Sequence, residues 1–266
     1  MRPSPATLRL SIRLTAATII THSSSSHIGG VFSCADILAT LYGSVLRISN
    51  GQILDSFILS KGHCCAGVYA ALYHLDLLHE DLLSTYGSNG SILMSHISHK
   101  VPHVEFSTGS LGHGLPHAVG KAYISLTHNP SKRIYVLLSD GELDEGSNWE
   151  AFLFSSHHRL RNLTAIIDYN KLQSLGSVAD TLSLEPLEDK FKAFGWNVLL
   201  VNGHDLQQLS HAFRSSNLSA LPTVIICHTI KGYPVSFMRD QVKWHYSPPT
   251  QEQLSIIESE LRSCFA

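Results

Sequence analysis

The chain has 266 residues, 44% hydrophobic and 15% charged, enough apolar mass to bury a sizeable core and a length at which α/β sheets form one domain, here spanning 1–266. Its 19 basic against 21 acidic residues, with no basic stripe interleaved with aromatics, argue against nucleic acid as a partner. The cysteines Cys34, Cys64, Cys65, Cys227 and Cys264 are odd in number and lack paired metal spacing, which speaks against a disulfide framework or a zinc site and for a reducing, cytoplasmic setting.

Near the amino terminus, Leu8, Ile12, Ala16 and Ile19 keep helical spacing. Arg2, Arg9 and Arg13, with Ser and Thr and no acidic residue before Asp36, imitate a transit peptide but are read as mature protein. No apolar run is read as approaching membrane-spanning length, so no membrane partner is expected. A helix is expected over 33–46, a short strand over 56–59 and a helix over 63–75. The stretch 87–110 carries Gly, Ser and His without a core pattern and reads as a functional loop. A helix over 112–126 follows a Gly-rich turn that can bring backbone close to a ligand.

The most informative segment comes next. An apolar, β-branched strand over 134–138 ends in Ser139-Asp140-Gly141, which is turn chemistry. A helix is expected over 142–159, with Glu142, Asp144 and Glu145 suiting the positive end of its dipole and His157, His158 and Arg159 the negative end. A second strand over 163–168 leads to Asn170. A strand, helix, strand unit of this length closes as a right-handed crossover and brings both strand ends to one edge. Asp140 and Asn170 would then offer two oxygen ligands to one hard cation, and a cation there would clamp a diphosphate. A strand at 196–201, a helix over 205–216, a strand at 222–228 and an amphipathic helix over 250–263 complete the series. The expected fold is a mostly parallel central sheet with helices on both faces.

An acidic-Gly turn answered thirty residues later by Asn resembles the thiamine diphosphate motif, and the surrounding blocks resemble the transketolase family: SSSSHIGG, ILSKGHC, STGSLGHG, DYNKLQSLG and HTIKGYPVSFM. The resemblance runs from about Leu8 to the last helix and implies a thiamine diphosphate-binding fold of the diphosphate-binding type. It implies Asp140, Asn170 and the main-chain carbonyl of Leu172 as ligands of Mg2+ or Ca2+. It sets His63, Gly109, Ser110, Leu111, Gly141, Glu145 and Ser174 beside the cofactor, with Glu145 also near a subunit contact and Glu150 a weaker match of the same kind. His27, His63, His96 and His245 are the implied catalytic histidines among 17 in the chain. Several imidazoles around one reactive carbon can relay protons near neutral pH.

The resemblance covers the first of the family's three domains. The glutamate that activates the cofactor's aminopyrimidine lies in the second, which implies a carboxy-terminal partner subunit bearing the pyrimidine-binding domain and a heterotetramer of two copies of each chain. Departures from the family cluster on the sugar-facing side: Ser26 and Ile28 beside His27, Ser95, Ile97 and Ser98 beside His96, and His103, His113, Leu175 and Tyr246. Ser139 stands for the first Gly of the motif. The expected activity is transfer of a two-carbon ketol unit from a ketose donor to an aldehyde acceptor, in a specialised biosynthetic pathway. A related thiamine-dependent acyl transferase or 2-oxo acid decarboxylase subunit, and a non-catalytic binding subunit, stand as alternatives. A nicotinamide-binding domain is the most remote, since no G-x-G-x-x-G follows a first strand.

Overall fold

The computed structural model describes residues 2–265. In chain order its elements are α1 (Pro5–His22), α2 (Ile28–Thr40) continued by a wider π turn over Leu41–Val45, a small hairpin of β1 (Ile48–Ser49) and β2 (Gln52–Ile53), β3 (Ser56–Leu59), α3 (Cys65–His74), α4 (Glu80–Leu83), α5 (Gly114–His128), β4 (Ile134–Ser139), α6 (Gly146–His157), β5 (Leu163–Tyr169), α7 (Val178–Thr181), α8 (Leu187–Ala193), β6 (Asn197–Asn202), α9 (Leu206–Leu218), β7 (Thr223–His228) and α10 (Gln251–Phe265).

Five strands form one sheet in the order β3-β4-β5-β7-β6, every neighbouring pair parallel. Such strands are covered on both faces and read as continuous apolar runs, as β4 and β5 do. Alternation along them builds two cores. Tyr135, Leu137, Ile166, Ile225 and Cys227 face the layer of α1, α2, α3, α9 and α10, while Ile134, Val136, Leu138, Ala165, Ile167 and Val224 face α5, α6 and α8. The chain steps outward from β3 to β5, jumps to β6 and returns to β7, so the crossover helix changes face beyond β5. Ligands of open α/β sheets sit outside the carboxyl ends of the strands, and here that edge carries Asp140 and Asn170.

Three expectations require correction. The helix read over 142–159 is two pieces, a 3-10 turn over Gly141–Asp144 and then α6, because Glu145 is extended (φ −80, ψ 123). The acidic residues therefore precede the helix, and Asn148 Nδ2 donates to the Glu142 carbonyl at 2.6 Å across the break. The helix read over 33–46 begins at Ile28, because His27 in the left-handed region (φ 76) turns the chain directly into it. Finally, Ile28–Val45 is by length and composition apolar enough to cross a membrane, but 83% of that stretch is buried inside the fold. It is the central helix of the first layer rather than a span.

Candidate active site

The register places Ser139 opposite Asp168, so Asp140, one residue beyond Ser139, and Asn170, two beyond Asp168, leave adjacent strands at one edge. Asp140 is 2% exposed. Its Oδ1 accepts from the Gly141 amide at 2.8 Å and its Oδ2 from the Lys171 amide at 2.6 Å. The left-handed backbone of Lys171 (φ 66) makes that second contact possible and turns the Leu172 amide back onto Asn170 Oδ1 at 3.0 Å. Asn170 Nδ2 donates to Ser33 Oγ at 3.1 Å, which orients the amide oxygen.

Beneath them lies a buried ion pair, Lys61 with Asp168, 1% and 0% exposed at their side chains. Ser33 and Thr229 hydroxyls also donate to Asp168. Burial opposes the Lys61 charge, but the Asp168 carboxylate outweighs it and holds the ammonium well above the usual lysine range. Asp140 forms no ion pair among the described residues, and the nearby Lys61 ammonium offsets its burial only in part. Burial, and then the neighbouring Asp168 carboxylate, push its pKa up to about 6. A desolvated carboxylate beside a neutral amide oxygen and the Leu172 carbonyl suits a hard divalent cation, which would supply the missing positive charge. Among the described residues no group of three His, Cys, Asp or Glu forms a metal cage, so the remaining ligands of such an ion have to come from a bound molecule or water.

These groups open into a cavity of ≈ 400 Å³ lined also by Gly30, Gly109, Leu111, Gly141, Ser174 and the four imidazoles of His27, His63, His96 and His245. The rings form a cluster around His27, with centroids 5.1 Å to His63, 5.5 Å to His96 and 4.9 Å to His245. Burial first, and His63 among the neighbouring charges, lower the pKa of His27 to about 4 and move His96 down as well. Burial and then the Lys231 ammonium lower His245 to about 3. The three rings are therefore neutral at pH 7, and each can offer one N–H and one lone pair. The His27 Nδ1 is buried without a hydrogen-bond partner among the described residues.

Glycines just behind this wall, Gly62 and Gly29, are there for contact. A Cβ on Gly62 would lie 2.3 Å from the Thr108 carbonyl oxygen, and one on Gly29 3.1 Å from Trp244 Cβ. The segments carrying His63, Thr108 and His245 thus meet without side chains between them. Glu142, buried behind the wall, accepts from Ser60 Oγ and from the Gly112 amide at 3.0 Å and ties the STGSLGHG turn to the end of β4.

Of the residues singled out in the sequence, His27, His63, His96, His245, Gly109, Leu111, Asp140, Gly141, Asn170, Leu172 and Ser174 line this one cavity. Ser110 and Glu145 are exposed and lie outside its lining, and Glu150 is exposed on α6. Lys61, Gln173 and Lys231 also line the cavity, and sequence reasoning passes over them. Their one signal is position, a lysine inside ILSKGHC and another inside HTIKGYPVSFM. Tyr246 lines it too, 57% exposed, with its ring 4.7 Å from that of His245.

Comparison with known proteins agrees with this geometry. Residues 6–262 match the family model described as transketolase, thiamine diphosphate binding domain. The chain is 39% identical over 240 residues to an apulose-4-phosphate transketolase subunit of Phocaeicola vulgatus, covering 88% of this chain and 85% of that protein. It is 36% identical over 242 residues to the 6-deoxy-6-sulfo-D-fructose transketolase subunit SqwG of Clostridium sp., covering 88% of each. Among solved structures, the transketolase of Leishmania mexicana superposes with a TM-score of 0.90 at 29% identity, over 98% of this chain and 42% of that one. The Campylobacter jejuni transketolase does so with 0.89 at 26% identity, over 98% and 43%. The chain thus spans about two fifths of the length of those solved enzymes.

Proposed function

Because the chain belongs to the transketolase family through its thiamine diphosphate binding domain, we propose that it is the amino-terminal subunit of a two-component transketolase, which moves a two-carbon ketol unit from a ketose donor to an aldehyde acceptor in a specialised sugar pathway. The observation that carries this reading is the convergence of the Asp140 and Asn170 pair with four imidazoles on a single cavity. The relatives named as transketolase subunits, matched over most of their own length, support the two-component form.

In this reading Asp140, Asn170 and the Leu172 carbonyl hold Mg2+ or Ca2+, and with it the cofactor's diphosphate, while Gly109, Leu111, Gly141 and Ser174 shape the walls of its berth. Thiamine diphosphate supplies the electron sink that lets a carbon–carbon bond beside a ketone break and re-form. The protein's own groups manage hydroxyls and protons. His27, His63, His96 and His245 surround the open end, where neutral rings can hydrogen-bond the hydroxyl and carbonyl oxygens of a sugar and pass a proton between them. Lys61, locked to Asp168, keeps a fixed positive charge beneath the diphosphate end.

The partner is a subunit carrying the pyrimidine-binding domain, expected in a cytoplasmic heterotetramer of two copies of each chain. Donor consumption measured on this chain alone, on the partner alone and on their mixture tests the proposal. Ketol transfer that appears only in the mixture, and only with thiamine diphosphate and a divalent cation, is the expected result. Robust turnover by this chain alone would falsify the two-component reading.

A further inference from the structure

We propose that Tyr246 is a specificity-determining residue: its ring walls the mouth of the cavity and makes the site prefer short aldehyde acceptors over longer ones. The inference rests on the reading of the cavity as a ketol-transfer site and adds to it a limit on the length of the acceptor.

Exposure along the lining tells inside from outside. Asp140 and Lys61 are 2% and 1% exposed and His27 is 8% exposed, whereas Tyr246 is 57% exposed. His96 and Tyr246 carry the exposed side chains of the lining, and both rings border His27, with centroids 5.5 Å and 6.1 Å from it. The rim that this chain contributes is therefore made by an imidazole and a phenol ring. The two treat a sugar differently. An imidazole can hydrogen-bond a hydroxyl, but the face of a phenol ring cannot replace the water that a hydroxyl gives up on contact. A short aldehyde held at His27 and His245 leaves the Tyr246 ring free, while a longer chain has to press its hydroxyls against it.

The ring is held in place from both sides of the chain. It stands edge-on to His245, with centroids 4.7 Å apart and planes at 72°. The Tyr246 and Ser247 amides both donate to the Lys243 carbonyl, at 3.2 Å and 3.0 Å, and the His27 amide donates to the His245 carbonyl at 2.9 Å. Just before it, Trp244 is buried, and its Nε1 donates to the Phe237 carbonyl at 3.1 Å. Just after it, Pro248 and Pro249 fix the backbone that leads into α10. A side chain on so constrained a segment sets a boundary instead of yielding to a larger ligand.

The test uses the reconstituted enzyme with hydroxypyruvate as donor and the uncharged aldehydes glycolaldehyde, glyceraldehyde and erythrose as acceptors. Hydroxypyruvate and a proton give CO2 and the ketol unit, which joins the aldehyde carbon of the acceptor. The quantity read is kcat/KM for erythrose divided by kcat/KM for glycolaldehyde, in Tyr246→Ala and Tyr246→Phe relative to the wild type. Comparison with the wild type cancels the open-chain fraction of each sugar. A misfit of this size in a pocket discriminates by about tenfold or more. The ratio should therefore rise about tenfold in Tyr246→Ala, with glyceraldehyde between the extremes, and stay at the wild-type value in Tyr246→Phe, which keeps the ring. An unchanged ratio in Tyr246→Ala, including an equal loss with every acceptor, overturns the inference, because the ring would then only support His245. A Tyr246→Phe enzyme that matches Tyr246→Ala also overturns it, since selection would then lie in the hydroxyl. If the wild-type mixture transfers no ketol unit to any acceptor, the reading of the site fails and the inference falls with it, so the two failures are told apart.

Discussion

In the proposed cofactor berth, Asp140 is the residue that brings a negative charge. Its carboxylate is buried, held by two backbone amides, and raised in pKa by its surroundings. Neither the neutral amide of Asn170 nor a main-chain carbonyl can replace its charge. Asp140→Ala is therefore expected to weaken divalent-dependent thiamine diphosphate binding by about tenfold or more, the scale of far milder changes around metal ligands, while the circular dichroism spectrum is retained. Cofactor titration of the reconstituted enzyme checks it, and unchanged affinity would remove Asp140 from the metal site. The imidazoles divide differently. His96 and His245 stand in loops that resemble the family's substrate side, and among the described residues no hydrogen bond joins them to Asp140 or Asn170. His96→Ala and His245→Ala should spare cofactor affinity and depress kcat, the pattern of groups that act in the transition state. A His96→Ala enzyme that loses cofactor yet keeps its rate per occupied site would reverse this division.

Between elements, the tie that sets the geometry is Asp36 on α2. It is gripped by Arg13 of α1, with Nη1 at 3.2 Å and Nη2 at 2.6 Å, and by His204 before α9. Burial alone would raise this carboxyl, but Arg13 and His204, together with Arg9, outweigh it and lower the pKa to about 2. The folded value lies below the unfolded one, so the stabilisation is complete above the unfolded carboxylate pKa and is lost as pH falls from about 4 to about 2. The span corresponds to about 2 kcal/mol, and urea unfolding followed over that window should show it as an acid slope that Asp36→Asn largely abolishes. A parallel slope in the variant would mean that Asp36 does not carry the linkage.

The central crossover was legible in the sequence for a plain reason: β4 and β5 are buried on both faces, so Ile134 to Ser139 and Leu163 to Tyr169 read as apolar runs ending in turn residues. Eleven of the singled-out cavity residues follow from those runs and from the recognised blocks. Less legible were features set by distant partners. The start of α2 depends on the His27 amide reaching the His245 carbonyl, more than two hundred residues away in the chain. The break at Glu145 depends on Asn148 reaching back to Glu142. Lys61 and Lys231 read as ordinary lysines because their countercharge and acceptors, Asp168 and the Leu172 and Gln173 carbonyls, come from another strand and its loop.

The whole molecule presents more apolar surface than its core requires. Leu175 and Tyr246 are 86% and 57% exposed near the cavity. On the outer face of α5 and α6, Tyr123, Ile124, Leu153 and Phe154 are 47%, 56%, 55% and 42% exposed, with the Tyr123 and Phe154 rings 5.7 Å apart. Clusters of this kind mark surfaces that meet other chains, and in the proposed heterotetramer both regions are available for burial. Mixing the chain with a subunit bearing the pyrimidine-binding domain should give a species of two copies of each by light scattering. It should also quench the binding of an apolar-surface dye that this chain shows alone, and protect the backbone around Leu175 from hydrogen exchange. Catalysis should follow the same titration, because the open end of the cavity holds imidazoles but no carboxylate placed to drive the cofactor's amino group. The candidates are otherwise engaged: Asp140 by the Gly141 and Lys171 amides, Asp168 by Lys61 and Glu142 by Ser60 and Gly112. A mixture that remains two separate species at micromolar concentration, with dye binding and exchange unchanged, would exclude the obligate assembly.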